Sequence, residues 1–208
     1  MITPGRDKVA ESTTGVILAG GASSRFGSNK ALASLDGRPI IAHAADILSQ
    51  IFTHLLLVTN TPDTYRFLGW PMTGDIHPGQ GPLAGIHTAL QTIQTEKAFV
   101  IACDMPRISA GLITHLCNLQ GNWDVALPWL ETGPEPLFAV YRKSCLPIIE
   151  KQLAAGHGKI RLALQQLNLL KIDETEILPL THDLLTFHNI NRTDDLTFLQ
   201  EKERGNGQ

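Results

Sequence analysis

The sequence predicts an α/β fold, a Rossmann-like three-layer sandwich with a mostly parallel central sheet and helices on both faces. Three observations carry it. Short apolar runs without charge recur at 16–19, 55–58 and 98–103, as strands buried on both faces require. Each run breaks into a loop containing Gly, Pro or Asn and is followed by apolar residues at helical spacing, so the repeating unit is β-loop-α. At 208 residues the chain can bury one such core, and residues 1–208 read as a single domain with its ligand site at the carboxyl ends of the strands.

Val16 to Ala19 is the first strand, and the Gly/Ser loop after it runs to Lys30. Residues 31–35 continue as a short helical or extended piece into an Asp36-Gly37 turn. Ile40, Ile41, Ala44, Ala45, Ile47 and Leu48 recur at helical spacing and predict an amphipathic helix to about Gln50. Leu55 to Val58 is the second strand, and Pro62 starts a helix through Tyr65 and Leu68. A weaker strand over 70–76 ends near Asp75. The Gly/Pro-rich stretch 77–85 then feeds a helix carrying Ile86, Ala89, Leu90 and Ile93.

Ala98 to Cys103 is the clearest central strand, and Ser109 is expected to cap a helix through Leu112, Ile113 and Leu116. Val125 to Leu127 and Leu137 to Tyr141 read as strands joined by a loop holding Gly133, Pro134, Glu135 and Pro136. Helices are expected over 146–153 and 160–167, then a last strand over 184–190 and a terminal helix capped by Thr193 through Leu196 and Leu199. Residues 201–208 form a polar tail expected to fray.

The composition, 43% hydrophobic and 18% charged, is that of an ordinary globular protein. A formal charge of -3 gives no general attraction to nucleic acid or an anionic membrane, so any polyanionic ligand must be held by local groups. Cys103, Cys117 and Cys145 are odd in number and widely spaced, which suggests reduced thiols rather than a disulfide framework or zinc site. Residues 1–14 lack the apolar segment of a secretory signal, and no apolar run approaches the ~20 residues of a membrane span. The expected location is the cytoplasm.

The stretch Gly15 to Lys30 carries the first chemical signal. Its apolar strand opens into Gly20-Gly21-Ala22-Ser23-Ser24-Arg25-Phe26-Gly27-Ser28-Asn29-Lys30, where glycine amides, hydroxyls and two cations can share the charge of a polyphosphate. The spacing is neither GxxxxGK[ST] nor GxGxxG, which weakens the P-loop and dehydrogenase readings. Asp104 stands at the end of the central strand and is the candidate metal ligand, with capping of the following helix as its alternative. Lys30 and Arg25 are candidate phosphate cations, against a reading as solvated surface charges. The eight His residues show no HxH or HExxH spacing, and nothing aligns Ser23 or Ser24 with a His and an Asp.

Leu18-Ala19-Gly20-Gly21-x-Ser23-Ser24-Arg25-Phe26-Gly27-x-x-Lys30 resembles the signature loop of nucleotidyltransferases that activate small phosphorylated substrates. Asp36-Gly37-x-Pro39-Ile40, Gly81-Pro82-Leu83-Ala84-Gly85, Cys103-Asp104-Met105-Pro106 and Asn189-Ile190-Asn191 follow in the order of the molybdenum cofactor guanylyltransferase family. With Glu135-Pro136-Leu137-Phe138-Ala139-Val140-Tyr141, the resemblance spans 15–200. One departure is Asn29, where the family often has Asp before the loop lysine.

The resemblance implies transfer of GMP from GTP to the phosphate of molybdenum-molybdopterin, with release of pyrophosphate. Lys30, Asp104 and Arg25 are then catalytic, and Leu18, Ala19, Gly20, Gly21, Lys30, Asp75, Gly81 and Asp104 bind the nucleotide and its Mg²⁺, with Asp104 as metal ligand. Gly81, Pro82 and Gly85 are expected on the wall of the base pocket with Asn60 near it. Asp75 reads equally as an ordinary loop residue. Glu135, Asn189 and Asn191 are expected on the acceptor side, with charged-loop, Asx-turn and capping roles as alternatives. The N-terminal half would bind nucleotide and the C-terminal half acceptor, in a monomer in transient contact with cofactor-inserting chaperones or molybdoenzymes. A cytidylyltransferase for the same pterin, a small sugar-phosphate nucleotidyltransferase and a non-catalytic nucleotide-binding module remain as alternatives.

Overall fold

The computed structural model describes residues 11–20, 29–181, 183–191 and 194–199. Its strands are β1 (Thr13–Leu18), β2 (Ser34–Leu35), β3 (Arg38–Pro39), β4 (His54–Val58), β5 (Met72–Thr73), β6 (Lys97–Ala102), β7 (Val125–Leu130), β8 (Gly133–Pro134), β9 (Phe138–Arg142) and β10 (Leu169–Ile172). The helices are α1 (Ile40–Ile51), α2 (Pro82–Thr92), α3 (Ala110–Asn118), α4 (Leu146–Ala154), α5 (Ile160–Leu164) and α6 (Glu174–Thr181), and a further helix covers 194–199.

The main sheet has the order β10-β7-β9-β6-β1-β4-β5, and β8 pairs the last two residues of β7. Pairing is parallel throughout except at β9, which runs antiparallel between β6 and β7, and at β8. All six residues of β1 are buried, which is why its sequence is uniformly apolar or small rather than alternating.

Alternate residues of the same strands feed two cores. Ile17, Leu57, Phe99, Ile101, Phe138 and Val140 face α1, α3 and α6, whereas Val16, Leu56, Val100, Val125, Leu127 and Ala139 face α2, α4 and α5. The three-layer sandwich read from the sequence is the one observed. Phe99 anchors the first core, stacked on Phe52 with ring centres 6.0 Å apart and edge-on to Phe138 at 5.1 Å. A third, smaller cluster joins Leu35 and Ile40 to Ile190 and Leu199, so the end of the described chain closes over its beginning.

The expected turn at Asp36-Gly37 is present, with φ of 50° and 79°, the paired positive values that a two-residue hairpin of type I′ demands. Ser109 caps α3 as expected, its hydroxyl accepting the Leu112 N–H at 3.2 Å. Three expectations need correction. The loop expected to run to Gly85 ends at Gly81, because Pro82 takes the first helical position at no cost in hydrogen bonds, and Gly85 lies inside α2.

Residues 184–190 form no strand. They make a single 3-10 turn, Leu185–Phe187, in which Phe187 packs edge-on to Phe138, and Ile190 is bound by its N–H to the Asp104 carbonyl at 3.0 Å. Their apolar residues fill gaps beneath the sheet rather than extending it. Finally, β10 and α6 occupy 169–181, where the sequence suggested no element. Thr193 and the tail 201–208 lie outside the described residues.

Candidate active site

The carboxyl ends of β1, β4 and β6 lie side by side, as parallel pairing dictates, and the candidate residues leave the sheet there. The Ala19 N–H donates to the Val58 carbonyl at 2.9 Å and the Cys103 N–H to the Leu18 carbonyl at 3.2 Å, which locks the three strand exits together. Leu18 and Ala19 are buried and Gly20 is exposed, so the chain emerges from the core at the first glycine. Gly21, Ser23, Ser24 and Arg25 lie outside the described residues.

Lys30 begins a 3-10 turn, Lys30–Leu32, whose preceding residue Asn29 accepts the Ala31 N–H. Its ammonium forms an ion pair with Oδ2 of Asp104 and donates to Oδ1 of Asn191 at 3.3 Å. Three segments far apart in sequence thus converge on one cation. Asp104 leaves β6 in a turn, and its side chain is 10% exposed. Its other oxygen, Oδ1, is buried and has no hydrogen-bond partner among the described residues.

A buried carboxylate oxygen with a free lone pair needs a donor or a cation. A hard divalent ion bound jointly with phosphate oxygens fits that need, since Mg²⁺ commonly takes only one or two carboxylates from protein. Among the described residues no three His, Cys, Asp or Glu side chains are grouped to hold a metal.

Asp75 lies early in the loop between β5 and α2, and one of its oxygens, Oδ1, is committed locally. It accepts the His77 N–H at 3.0 Å and the Thr88 hydroxyl at 3.2 Å, while the Asp75 N–H donates to Oδ1 of Asn60 at 2.8 Å. Thr88 also accepts the Ile76 N–H at 2.9 Å, so this network fastens the loop before Gly81 to α2. Asn60 and Asp75 are joined in one brace, and among the described residues no hydrogen bond or ion pair links Asp75 to Lys30 or Asp104.

Gly81 precedes α2 with φ of 78°. The turn at 156–158 lies against this loop so closely that a Cβ on Gly158 would stand 1.7 Å from the Gln80 carbonyl oxygen. Sequence reasoning did not single out Gly158, and its only local signal was a glycine between two helices.

Glu135 belongs to the turn between β8 and β9. Its N–H donates to the Pro128 carbonyl at 3.0 Å, and the Ala102 N–H donates to the Leu137 carbonyl at 3.2 Å, which places the turn at the same sheet end as Asp104. Burial pushes the Glu135 carboxyl above its ordinary value. Asn191 meets Lys30, and its N–H donates to Asp195 at 2.6 Å, whereas the buried Oδ1 of Asn189 has no partner among the described residues. Asn189 and Asn191 are both fixed by the Ile190 to Asp104 backbone bond between them.

The model of a MobA-like NTP transferase domain matches residues 15–170. A molybdenum cofactor guanylyltransferase from Desulfosudis oleivorans is 37% identical over 190 residues, covering 89% of this chain and 93% of that one. A relative from Carboxydothermus hydrogenoformans, named as a probable molybdenum cofactor guanylyltransferase, is 45% identical over 150 residues, covering 72% and 76%. The crystal structure of molybdopterin-guanine dinucleotide biosynthesis protein A from Archaeoglobus fulgidus superposes with a TM-score of 0.81 at 27% identity, over 92% of this chain and 99% of that chain.

Proposed function

The chain belongs to the MobA-like NTP transferase domain family and is a nucleotidyltransferase, and on that premise we propose that it transfers GMP from GTP to the phosphate of molybdenum-molybdopterin. The observation that carries the chemistry is the meeting of Lys30, Asp104 and Asn191 at the carboxyl ends of β1 and β6. An oxygen of the acceptor phosphate forms the new bond to the α-phosphorus, the bond from that phosphorus to the β-phosphate bridge breaks, and pyrophosphate leaves. The acceptor phosphate is already an anionic nucleophile, so the chain must orient it in line and offset charge rather than supply a strong base.

Lys30 offsets charge on the triphosphate, and Arg25 is assigned as a second cation on sequence grounds alone. The free Oδ1 of Asp104 would hold Mg²⁺, which when bound neutralises phosphate oxygens and polarises the α-phosphorus. The exit of β1 at Leu18, Ala19 and Gly20 and the loop at Gly81 form the nucleotide side. The Asp75 network keeps that loop on α2, so Asp75 acts here by positioning. The turn at Glu135 and the segment from Asn189 to Asn191 form the acceptor side. We assign the chain to the cytoplasm as a monomer that hands its product to chaperones or molybdoenzymes.

The test is pyrophosphate release by the purified chain with Mg²⁺, molybdenum-molybdopterin and each of GTP, CTP, ATP and UTP. Turnover with GTP is the expected result. Turnover with CTP alone would identify a cytidylyltransferase, and none with any nucleotide would identify a binding module.

A further inference from the structure

Asn29 stands immediately before the lysine of the site, and both ends of its side chain are engaged. Oδ1 accepts the Ala31 N–H at 3.2 Å and closes the turn Lys30–Leu32 from in front. Nδ2 donates at 2.8 Å to the hydroxyl of Tyr65, on the 3-10 helix Pro62–Leu68 that follows β4. The backbone N–H of Ala31 can only donate, so the atom facing it must be the amide oxygen, and the amide nitrogen is thereby aimed at the phenol.

Tyr65 is a firm support. It is 2% exposed and packs in the core beneath α1 together with Ala31, so the residue after Lys30 and the partner of Asn29 share one apolar cluster. Burial raises the Tyr65 hydroxyl above its ordinary value, which keeps it neutral and able to accept from the amide. The Lys30 turn is therefore tied to the 3-10 helix after β4 through one side chain, while its ammonium reaches the exit of β6 at Asp104.

We propose that Asn29 is a positioning residue, which by bonding both the Lys30 turn and Tyr65 holds the Lys30 ammonium where it meets Asp104 and the triphosphate of the nucleotide. The departure from Asp at this position is then conservative in geometry. A carboxylate could cap Ala31 equally and accept from the Tyr65 O–H, so the same brace forms with the polarity of one bond reversed. The inference rests on the nucleotidyltransferase reading for the anion it names.

The test is calorimetric binding of Mg²⁺ with inorganic tripolyphosphate to the full chain, in parallel with GTP turnover. Loss of a cap and a partly buried hydrogen bond predicts that N29A weakens binding about tenfold and Y65F about threefold, with N29D recovering most of the N29A loss. Because Asn29 acts through Lys30, N29A/K30A should bind no more weakly than K30A, whereas a general structural role would multiply the two losses. If N29A does not fold, the Y65F and K30A pair reads the same coupling.

Binding by N29A within twofold of the parent chain, or losses that multiply in the double variant, would overturn the brace. A chain that binds tripolyphosphate with the expected coupling yet transfers no GMP would keep the brace and defeat the transfer reading. Absence of tripolyphosphate binding by a parent chain that turns over GTP would overturn the brace alone, and absence of both binding and turnover would defeat both.

Discussion

Asp104 puts its two carboxylate oxygens to different uses. Oδ2 pairs with Lys30, whereas Oδ1 is buried and has no hydrogen-bond partner among the described residues, at the end of a strand where a cation bound with phosphate can reach it. Asp104→Asn retains the size and one acceptor but loses the charge that a divalent cation requires. We expect divalent-dependent turnover to fall by at least about 100-fold with the thermal midpoint little changed. A steady-state assay over a Mg²⁺ titration beside a melting curve checks it, and near-normal turnover removes Asp104 from the site. The buried thiols give a second residue-scale outcome. Burial pushes Cys117 and Cys145 from an ordinary 9.0 up to about 12. The folded state therefore keeps protons that the unfolded chain releases near pH 9, so this contribution is complete below pH 9 and is lost as pH rises toward 12. Denaturation midpoints from pH 8 to 11 should fall in the parent chain and fall less steeply in C117A.

Elements made of local pattern were legible, and those made by distant contact were not. β1, β4 and β6 were visible because strands buried on both faces must be apolar throughout, and α1 because its spacing matches one face. β10 escaped notice because its exposed Lys171 interrupts the apolar run, with the ammonium carried on the Trp129 ring 3.7 Å away. The segment 184–190 misled for the opposite reason. It is apolar because it fills the core beside Phe138, and apolarity alone cannot distinguish a filler from a strand. The same limit applies to the site, where the glycines at 20 and 81 were legible as loop residues but the docking of 156–158 on Gln80 was not. Gly158→Ala must move one of two backbones, and overpacking of this kind costs about 2 kcal/mol. Because the displaced partner is the loop that begins α2, we expect the KM for nucleotide to rise several-fold with a smaller change in kcat. Denaturation and steady-state kinetics on the one variant check both, and an unchanged KM would detach this loop from the nucleotide.

On the scale of the whole molecule, the site exists because the end of the described chain returns to the beginning. Ile190 belongs with Leu199 to the small cluster around Leu35 and Ile40, and its N–H holds the Asp104 carbonyl while its neighbour Asn191 meets Lys30. One residue, packed by its side chain and bonded by its N–H, thus holds both partners of the same cation. The two large cores on either side of the sheet do not depend on it, since neither includes a residue of this cluster. Ile190→Ala should therefore act unequally. A buried large-to-small change costs about 2–4 kcal/mol where the surroundings cannot collapse, and here the cost falls on the closing segment, which can release without opening the sheet. We expect amide exchange to quicken around 188–191 and 35–40 while β1 and β6 stay protected. Loss of the Asn191 and Asp104 contacts should lower kcat by about tenfold or more, a larger effect than the shift in global midpoint implies. If β1 and β6 lose protection together with the closing segment, the molecule unfolds as one unit and the segment is part of the core. If protection near 188–191 is lost while kcat holds, Asn191 is a helix-start residue and the acceptor side must be sought at the Glu135 turn.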